Sequence, residues 1–410
     1  MSGIKTIKVV TVLGASGNMG CNVSALFAAF GDAKVYMMCR RKDPAYIEKA
    51  VKSVRADSIR KNLFLVDYSE LEHCVKESDL VFESVAEDLA LKEEINAKVD
   101  KFLRDDALFV TGTSGLSIEH LSKSLAEKNR SRYFGMHFFN PPYSMPLCEL
   151  IFTKNNDAEL IENTKQYLKK QLLRTVVVVN DRPAFLANRI GFFFINAALQ
   201  LADQYKEMGG IDYIDAIFGT FTGRNMSPCK TADFVGLDVH AAIVNNVYDN
   251  SNDEMHEYFK LPEYVNKLIF EKKLGRKCGS GLFKTEVLPS GEKVELVYDI
   301  ELDAYRNKNV YNFSFSRRMK KYLKNGDYEA AFEALKNDGT IEGKICLDLL
   351  KKYVEYSKLM SADLNGGLKA ADHAMATGFN WCPPSNMSNL LFGTDYPVRY
   401  DYRSFFKAVN

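Results

Sequence analysis

The histidine at position 137 has the most informative setting of the six histidines in the chain. It lies in the segment Gly-Met-His-Phe-Phe-Asn-Pro-Pro, and Glu149 follows within a later apolar stretch. A carboxylate that bonds one imidazole nitrogen fixes the tautomer and raises the basicity of the other nitrogen. The two residues could therefore act as a general acid–base pair. A core histidine and a salt-bridged glutamate without a catalytic role are an equally good interpretation.

Two further polar residues could orient a reacting oxygen. Ser114 lies in Thr-Gly-Thr-Ser-Gly-Leu-Ser, at the end of a predicted strand, and Asn188 lies where a sheet pattern gives way to helices. Both have a structural alternative, because Ser114 could belong to a turn before the next helix and Asn188 could cap the helix that it enters. Ser117, followed by Glu119, is the better candidate for a helix cap.

A glycine-rich loop follows the first apolar run and opens a helix. Glycines at such a turn let the backbone approach a pyrophosphate, which the helix N-terminus then faces. The spacing G-x-x-G-x-x-G is one residue longer than the usual fingerprint, and a loop that merely needs glycines is the alternative. We predict that these loop residues bind a dinucleotide: Gly14, Ser16, Gly17, Asn18, Met19 and Gly20.

The second predicted strand ends in Cys39-Arg40-Arg41-Lys42, where an acidic residue would normally bond the ribose of NAD(H). Guanidinium groups suit the 2′-phosphate of NADP(H). We therefore expect Arg40 and Arg41 to bind the cofactor and NADP(H) to be favoured over NAD(H). A solvated basic turn is the alternative.

The predicted secondary structure that positions these residues changes after residue 183 from alternating strands and helices to helices. Continuous apolar runs alternate with amphipathic stretches before it, which is typical of strands covered on both faces. We predict an α/β Rossmann-type, doubly wound parallel sheet, followed by an all-α domain. The runs lie at residues 7–13, 34–39, 63–66, 79–85, 108–111, 133–136 and 175–179. The predicted divisions are a sheet domain (1–183), a first helical module (184–285), a linker or hairpin region (286–340) and a second helical module (341–410).

The helical part contains an internal repeat. Gly209, Asp215 and Gly236 correspond to Gly366, Asp372 and Gly393, and each pair is separated by the same distance along the chain. Constant separation at three points favours a duplication over a chance likeness of glycine-rich helix ends.

Composition excludes several classes of protein. The chain has 410 residues, with 54 Lys and Arg against 53 Asp and Glu, so no basic stripe points to nucleic acid or an anionic membrane. Eight scattered cysteines without a C-x-x-C pair argue against a metal site and for a reducing compartment. The apolar stretch 190–202 is too short to cross a bilayer, and the first residues show no signal peptide. We expect a cytoplasmic protein with no membrane partner.

Together these motifs resemble the 3-hydroxyacyl-CoA dehydrogenase family over nearly the whole chain. The resemblance implies a sheet domain followed by the duplicated helical modules of the long bacterial fatty-oxidation enzymes, without their hydratase segment. The segments that carry it are 14–20, 79–92, 113–117, 137–142, the Glu149 segment, 185–189, 224–238, 279–284 and 371–381.

The resemblance also implies an activity and roles for the candidate residues. The implied reaction interconverts a 3-hydroxyacyl thioester, with CoA as the expected carrier, and its 3-ketoacyl form by hydride transfer. His137 and Glu149 would be the acid–base pair. Ser114 and Asn188 would orient the reacting oxygens, and Glu87 and Lys92 would support the cofactor. A homodimer through the helical region is implied, unless the second module covers that surface.

Two departures from the family pattern leave other functions open. Thr111-Gly112-Thr113-Ser114-Gly115 replaces the usual Thr-Asn-Thr-Ser-Ser, and residues 40–78 form a shorter segment than in relatives, where a helical arm contacts CoA. The alternatives are a dehydrogenase of a free 3-hydroxy acid, such as a carnitine- or gulonate-like compound, and a non-catalytic nucleotide-binding protein.

Overall fold

The computed structural model describes residues 7–406 and divides into two compact units. The first unit ends at Phe185 and the second begins at Leu186.

An eight-stranded sheet forms the centre of the first unit, in the order β3-β2-β1-β4-β5-β6-β7-β8. Strands β1 to β6 are parallel. The strands are Val9–Leu13 (β1), Lys34–Met38 (β2), Leu63–Val66 (β3), Leu80–Glu83 (β4), Leu108–Thr111 (β5), Tyr133–Phe138 (β6), Leu147–Ile151 (β7) and Thr175–Val179 (β8). The predicted doubly wound sheet is confirmed, and its buried strands explain the continuous apolar runs.

The expectation of a wholly parallel sheet is wrong at one edge. β7 pairs antiparallel with β6, and β8 runs parallel to β7. The connection between β6 and β7 is too short for the crossover helix that a parallel pair requires, so the chain must turn back. β7 was not predicted as a strand, because its apolar run is interrupted by the carboxylate of Glu149.

Seven helices accompany the sheet in the described part of the first unit. They are Asn18–Phe30 (α1), Ala45–Val54 (α2), Leu71–Glu77 (α3), Leu89–Asp100 (α4), Ile118–Ser122 (α5), Glu127–Arg130 (α6) and Ala158–Lys170 (α7). The side chain of Asp88 caps α4, and that of Ser117 caps α5 by accepting from the His120 amide. The prediction that Ser117 is a helix cap is therefore confirmed.

The second unit is mostly helical, with one small sheet. Its helices are Ala187–Gln204 (α8), Ile211–Ile217 (α9), Pro228–Val235 (α10), Leu237–Asn250 (α11), Glu263–Phe270 (α12), Ser314–Lys324 (α13), Tyr328–Lys336 (α14), Ile341–Ser361 (α15), Leu368–Ala374 (α16) and Pro384–Phe392 (α17). The antiparallel strands are Phe283–Val287 (β9), Lys293–Asp299 (β10) and Ala304–Asn307 (β11). The hairpin expected in this region is present, and β11 extends it, so the domain is not wholly α-helical.

The two halves of the internal repeat have the same local structure. The end of α8, then α9 and α10, correspond along the chain to the end of α15, then α16 and α17. Gly209 and Gly366 precede α9 and α16 with φ values of 115° and 107°, a region that favours glycine. Asp215 accepts from the Cys229 amide at 2.8 Å, and Asp372 accepts from the Ser385 amide at 2.8 Å. The sequence repeat is thus a repeat of the fold.

None of the helices described between residues 7 and 406 is long and apolar enough to cross a membrane. Within the same range, no group of three histidine, cysteine or carboxylate side chains is arranged to hold a metal ion. The eight cysteines are free thiols.

A buried histidine in the second unit should make stability depend on pH. His240 Nε2 lies 2.9 Å from Asn196 Oδ1, and that amide donates its Nδ2 to the carbonyls of Tyr258 and Lys260. Asn196 therefore presents an acceptor, so Nε2 is the donor. His240 Nδ1 has no hydrogen-bond partner among the described residues. Burial lowers the pKa of His240 to about 3, so the ring is neutral in the folded protein.

We expect the free energy of unfolding to fall as the pH drops below the usual histidine pKa of about 6.5. Below that pH the histidine binds a proton in the unfolded chain but not in the folded protein. The free energy of unfolding should therefore be lower by about 2–3 kcal/mol at about pH 4.5. Urea unfolding of the wild type and of His240→Leu across this range measures it. A pH dependence identical in the two proteins would contradict the assignment.

Candidate active site

The glycine-rich loop between β1 and α1 has the shape of a phosphate cradle. Gly14 has a φ of 73°, and a Cβ atom there would lie 2.4 Å from the Ser84 carbonyl oxygen. A Cβ at Gly20 would lie 2.5 Å from the Gly14 carbonyl oxygen. Only glycine fits these two positions, so the backbone amides at the start of α1 stay accessible to an anion.

A cleft of about 970 Å³ opens at the carboxyl ends of the parallel strands, beside this loop. It spans the point where the strand order reverses between β1 and β4, the usual place for a dinucleotide in such sheets. The predicted residues that line it are Gly14, Ser16, Gly17, Asn18, Met19, Arg40, Glu87 and Ser114. Tyr68 and Leu71 also line it and were not predicted, because they follow a short, half-exposed strand.

The three cations after β2 have different surroundings. Arg40 and Arg41 are both exposed, and of the two Arg40 lines the cleft. The Lys42 ammonium group forms ion pairs with the carboxylates of Asp67, at 3.3 Å, and Glu70. Of these three cations, Arg40 is therefore the one that a ligand in the cleft would meet.

Glu87 ties the cleft to the loop that carries Ser114. Its Oε1 atom accepts from the Thr113 hydroxyl at 2.5 Å and from the Ser114 amide at 2.8 Å. Its Oε2 atom lies 3.4 Å from Lys92 Nζ. Glu87 thus fixes the backbone at Ser114.

Lys92 lies beneath the cleft instead of lining it. Its ammonium group is buried and donates to both carboxylate oxygens of Glu83, at 2.8 and 3.0 Å. Glu83 also accepts from the Thr111 hydroxyl and the Val85 amide, at 2.6 and 2.7 Å. These donors compensate the desolvation of a fully buried carboxylate. Glu83 was not predicted, since its only sequence signal is a charge inside a short apolar run.

His137 and Glu149 are directly opposite each other on β6 and β7. Residues in such register project from the same face, and His137 Nδ1 lies 2.8 Å from Glu149 Oε2. Both side chains are buried, and the imidazole packs against the rings of Phe139 and Phe185 at 4.6 and 5.7 Å between centroids. The carboxylate faces Nδ1 and leaves Nε2 as the other ring nitrogen.

Asn188 belongs to the second unit and is the second residue of α8. The helix begins after Leu186, which is its N-cap and provides no side-chain cap. The alternative interpretation of Asn188 as a cap is therefore wrong.

Comparison with known proteins identifies the family. Residues 9–182 match the model of the 3-hydroxyacyl-CoA dehydrogenase NAD binding domain, and residues 185–285 match the model of the C-terminal domain. A probable 3-hydroxyacyl-CoA dehydrogenase of Deinococcus radiodurans is 31% identical over 291 residues, which cover 68% of this chain and 83% of that protein. The chain belongs to the 3-hydroxyacyl-CoA dehydrogenase family. Its first unit is therefore a nicotinamide-cofactor domain.

Other members of the 3-hydroxyacyl-CoA dehydrogenase family match more of the chain. A putative fatty acid oxidation complex trifunctional enzyme of Rickettsia felis is 29% identical over 392 residues, 92% of this chain and 52% of that enzyme. The chain thus spans about half the length of this curated relative. The crystal structure of 3-hydroxybutyryl-CoA dehydrogenase from Escherichia coli K12 has a TM-score of 0.64 at 20% identity and covers 94% of this chain and 92% of its own. It shares the fold.

Gly112 lies where the family resemblance implies asparagine, and the structure gives a physical reason for glycine at this position. A Cβ atom at Gly112 would lie 2.8 Å from Phe82 Cζ and 3.2 Å from the Glu83 carbonyl oxygen. The buried Phe82 ring occupies the space that a side chain would need. The glycine in the Thr-Gly-Thr-Ser-Gly segment is therefore explained by the phenylalanine on β4, which leaves no room for a side chain there.

Proposed function

We propose that this protein interconverts a 3-hydroxyacyl thioester, with CoA as the carrier, and the 3-ketoacyl form, using a nicotinamide cofactor. The observation that carries the proposal is the buried hydrogen bond between His137 Nδ1 and Glu149 Oε2, in a chain whose first unit matches an NAD binding domain. The Deinococcus relative has the corresponding name.

In the proposed oxidation, His137 Nε2 takes the proton of the substrate 3-hydroxyl group, and in reduction it returns that proton. Glu149 holds the ring in one tautomer and stabilises the imidazolium that forms. Ser114 and Asn188 orient the reacting oxygens. The bound nicotinamide supplies the hydride acceptor or donor, and Gly14 to Gly20 with Glu87 and Arg40 would hold the cofactor. The loop fits that group, because at Gly14 and Gly20 the backbone packs against carbonyl oxygens too closely for a Cβ, as in the tight turn that a phosphate-binding loop requires.

The decisive experiment follows the absorbance of the reduced nicotinamide with acetoacetyl-CoA, comparing NADH and NADPH. Oxidation with either cofactor supports the proposal. Reduced cofactor that binds tightly but is not consumed with acetoacetyl-CoA or any other 3-keto thioester would instead indicate a binding protein.

A dehydrogenase of a free 3-hydroxy acid is the second candidate. The observation that favours it is the short segment between β2 and β4, where α2 has 10 residues and α3 has 7. Such helices provide less surface for CoA than the arm implied by the family resemblance. Turnover of a free 3-hydroxy acid, but not of its thioester, would support this candidate.

We further propose that NADP(H) is the preferred cofactor and that Arg40 contributes most of the preference. Arg40 lines the cleft, and a guanidinium bonded to a 2′-phosphate is worth about 1.5–3 kcal/mol. Arg40→Ala should raise the Kd for NADPH about 10–100-fold relative to that for NADH. Arg41→Ala is the matched control and should change the ratio less than about fivefold. Fluorescence titration measures the Kd of each variant for both cofactors. Equal losses of affinity for NADPH and NADH in Arg40→Ala would contradict the proposed preference.

We propose a cytoplasmic location because of the eight free thiols. We propose a homodimer through the helical region from the family resemblance, and module boundaries at residues 183, 285 and 340 from the change of sequence pattern.

A further inference from the structure

Tyr68 lines the cofactor cleft from the end of β3, beside Arg40. β2 and β3 are neighbouring parallel strands, and just beyond their last paired residues the Cys39 amide donates to the Val66 carbonyl oxygen at 3.0 Å. Arg40 follows Cys39 directly, Tyr68 lies two residues after Val66, and both line the cleft. The two residues therefore belong to one wall of the cleft.

Ion pairs join the turns that carry these two residues. The Lys42 ammonium group lies 3.3 Å from the Asp67 carboxylate and also pairs with Glu70. The side chain of Asp67 caps the short turn that begins at Tyr68. The position of Tyr68 is thus fixed by its own turn and by the turn that begins with Arg40.

The Tyr68 hydroxyl group lies at the first glycine of the phosphate loop. Burial raises the pKa of the Tyr68 phenol, and a hydrogen bond that its oxygen accepts from the Gly14 amide opposes that rise. A phenol has one proton to donate besides its acceptor sites. Among the residues described between 7 and 406, none accepts that proton. A ligand in the cleft could therefore accept it.

The strand order indicates which half of a dinucleotide Tyr68 would meet. In the sheet, β2, β1 and β4 separate β3 from β5, so Tyr68 and Ser114 line opposite ends of the cleft. In sheets of this kind the end of the second strand contacts the adenosine ribose. Because Tyr68 lies beside that strand end, the ribose that it faces is the one that carries adenine.

The side chains around Tyr68 suit an adenosine group. Leu71, Leu91 and Ile95 line the same cleft and give it an apolar surface, against which a flat base can pack. The carboxylate that usually binds the ribose at the end of β2 is replaced by Arg40, which suits a 2′-phosphate. The neighbouring 3′-oxygen of the ribose then needs a partner from another residue.

We propose that the Tyr68 hydroxyl group donates to the 3′-oxygen of the adenosine ribose, which NADH and NADPH share. Tyr68 thus supplies, from β3, a ribose contact in place of the missing carboxylate, and Arg40 contacts the 2′ position. The inference rests on the dinucleotide of the proposed function and not on its substrate.

Tyr68→Phe keeps the ring and removes only the hydroxyl group. We expect the Kd values for NADH and NADPH to rise by the same factor, about 3–10-fold, as for one neutral hydrogen bond. ADP-ribose, which contains the same adenosine ribose, should lose as much affinity. Fluorescence titration measures the two cofactors, and calorimetry measures ADP-ribose. A loss confined to NADPH would place the hydroxyl group at the 2′-phosphate and overturn the proposal.

The analogue 3′-deoxy-NAD⁺ tests the proposed acceptor atom. It should bind the wild-type protein about 3–10-fold more weakly than NAD⁺, because it lacks that oxygen. Tyr68→Phe should then lose less than about twofold further affinity for the analogue. Losses that multiply would indicate two independent contacts and overturn the assignment.

Tyr36→Phe is the matched control. Tyr36 lies on β2 in the same unit, its hydroxyl group donates to Glu77 at 2.5 Å, and it does not line the cleft. This change should lower the melting temperature without changing any Kd. If Tyr68→Phe behaves in the same way, its hydroxyl group only supports the Gly14 amide and the proposal fails.

Each Kd is measured without substrate, which separates this proposal from the proposed function. A wild-type protein that binds the dinucleotide but converts no thioester would remove the proposed function and leave this test intact. A wild-type protein that binds no nicotinamide dinucleotide would overturn this proposal as well.

Discussion

Replacement of His137 by glutamine is expected to lower kcat by about 10²–10⁴-fold with acetoacetyl-CoA. Glutamine can still bond Glu149, but its amide cannot take a proton from the substrate hydroxyl or return one. Positioning of the substrate should persist, so KM should change much less than kcat. Steady-state kinetics with saturating reduced cofactor measures the loss.

Two controls connect that loss to proton transfer. The Kd for the reduced cofactor should be unchanged in His137→Gln, because the imidazole is not among the residues that line the cofactor cleft. Glu149→Gln should lower kcat by a comparable factor of about 10²–10⁴ and move the pH profile, since the neutral amide can hold the ring in the wrong tautomer and no longer stabilises the imidazolium. Wild-type kcat in His137→Gln would reject the assignment.

Removal of the Lys92 charge should have the largest effect on stability. Lys92→Met leaves the Glu83 carboxylate buried without its cation, and breaking such a pair typically costs about 3–5 kcal/mol. Because Lys92 also lies beside Glu87, the loop at Ser114 should loosen as well. Denaturant unfolding at neutral pH measures the free energy directly.

The second substitution Glu83→Gln should recover most of that stability, since the amide is neutral, its oxygen can still accept from the Val85 amide, and its NH₂ group can donate to the Thr111 hydroxyl oxygen. Lys76→Met is a matched control in the same unit: its partner Glu72 is half-exposed, as Lys76 is. That change should cost less than about 1 kcal/mol. If both lysine variants lose the same free energy of unfolding, burial of the Lys92–Glu83 pair does not make it more important for stability than a surface pair.

Local patterns in the sequence predict most of the cofactor half of the site. The glycine spacing and continuous apolar runs depend on short-range sterics and on burial of both sheet faces, so Gly14 and Gly20 occupy the expected cradle. Spacing alone suggests that His137 could pair with Glu149 but does not determine it, because the pairing depends on the register between two strands. The apolar pattern of the sequence did not predict β7, which is one of those strands.

Contacts between distant segments account for what the sequence did not predict. Glu83 and Lys92 are nine residues apart, yet their pairing requires knowing that both side chains are buried. A hydrogen bond between the side chains of Asn22 and Asn140 spans 118 residues and has no periodicity to reveal it. In the second unit, α13 and α14 lie in the region predicted as a linker, because α13 carries many charges and α14 has only 9 residues.

The antiparallel pairing of β6 with β7 makes the contact between His137 and Glu149 independent of the length of the connection that joins the two strands. His137 and Glu149 stay opposite as long as the ladder keeps its register, and a slip of one residue would place Cys148 or Leu150 there instead. Residues inserted after Pro142 need not disturb that pairing. A library that varies the length of the chain between 143 and 146 would therefore reshape the surroundings of the imidazole while retaining its carboxylate partner.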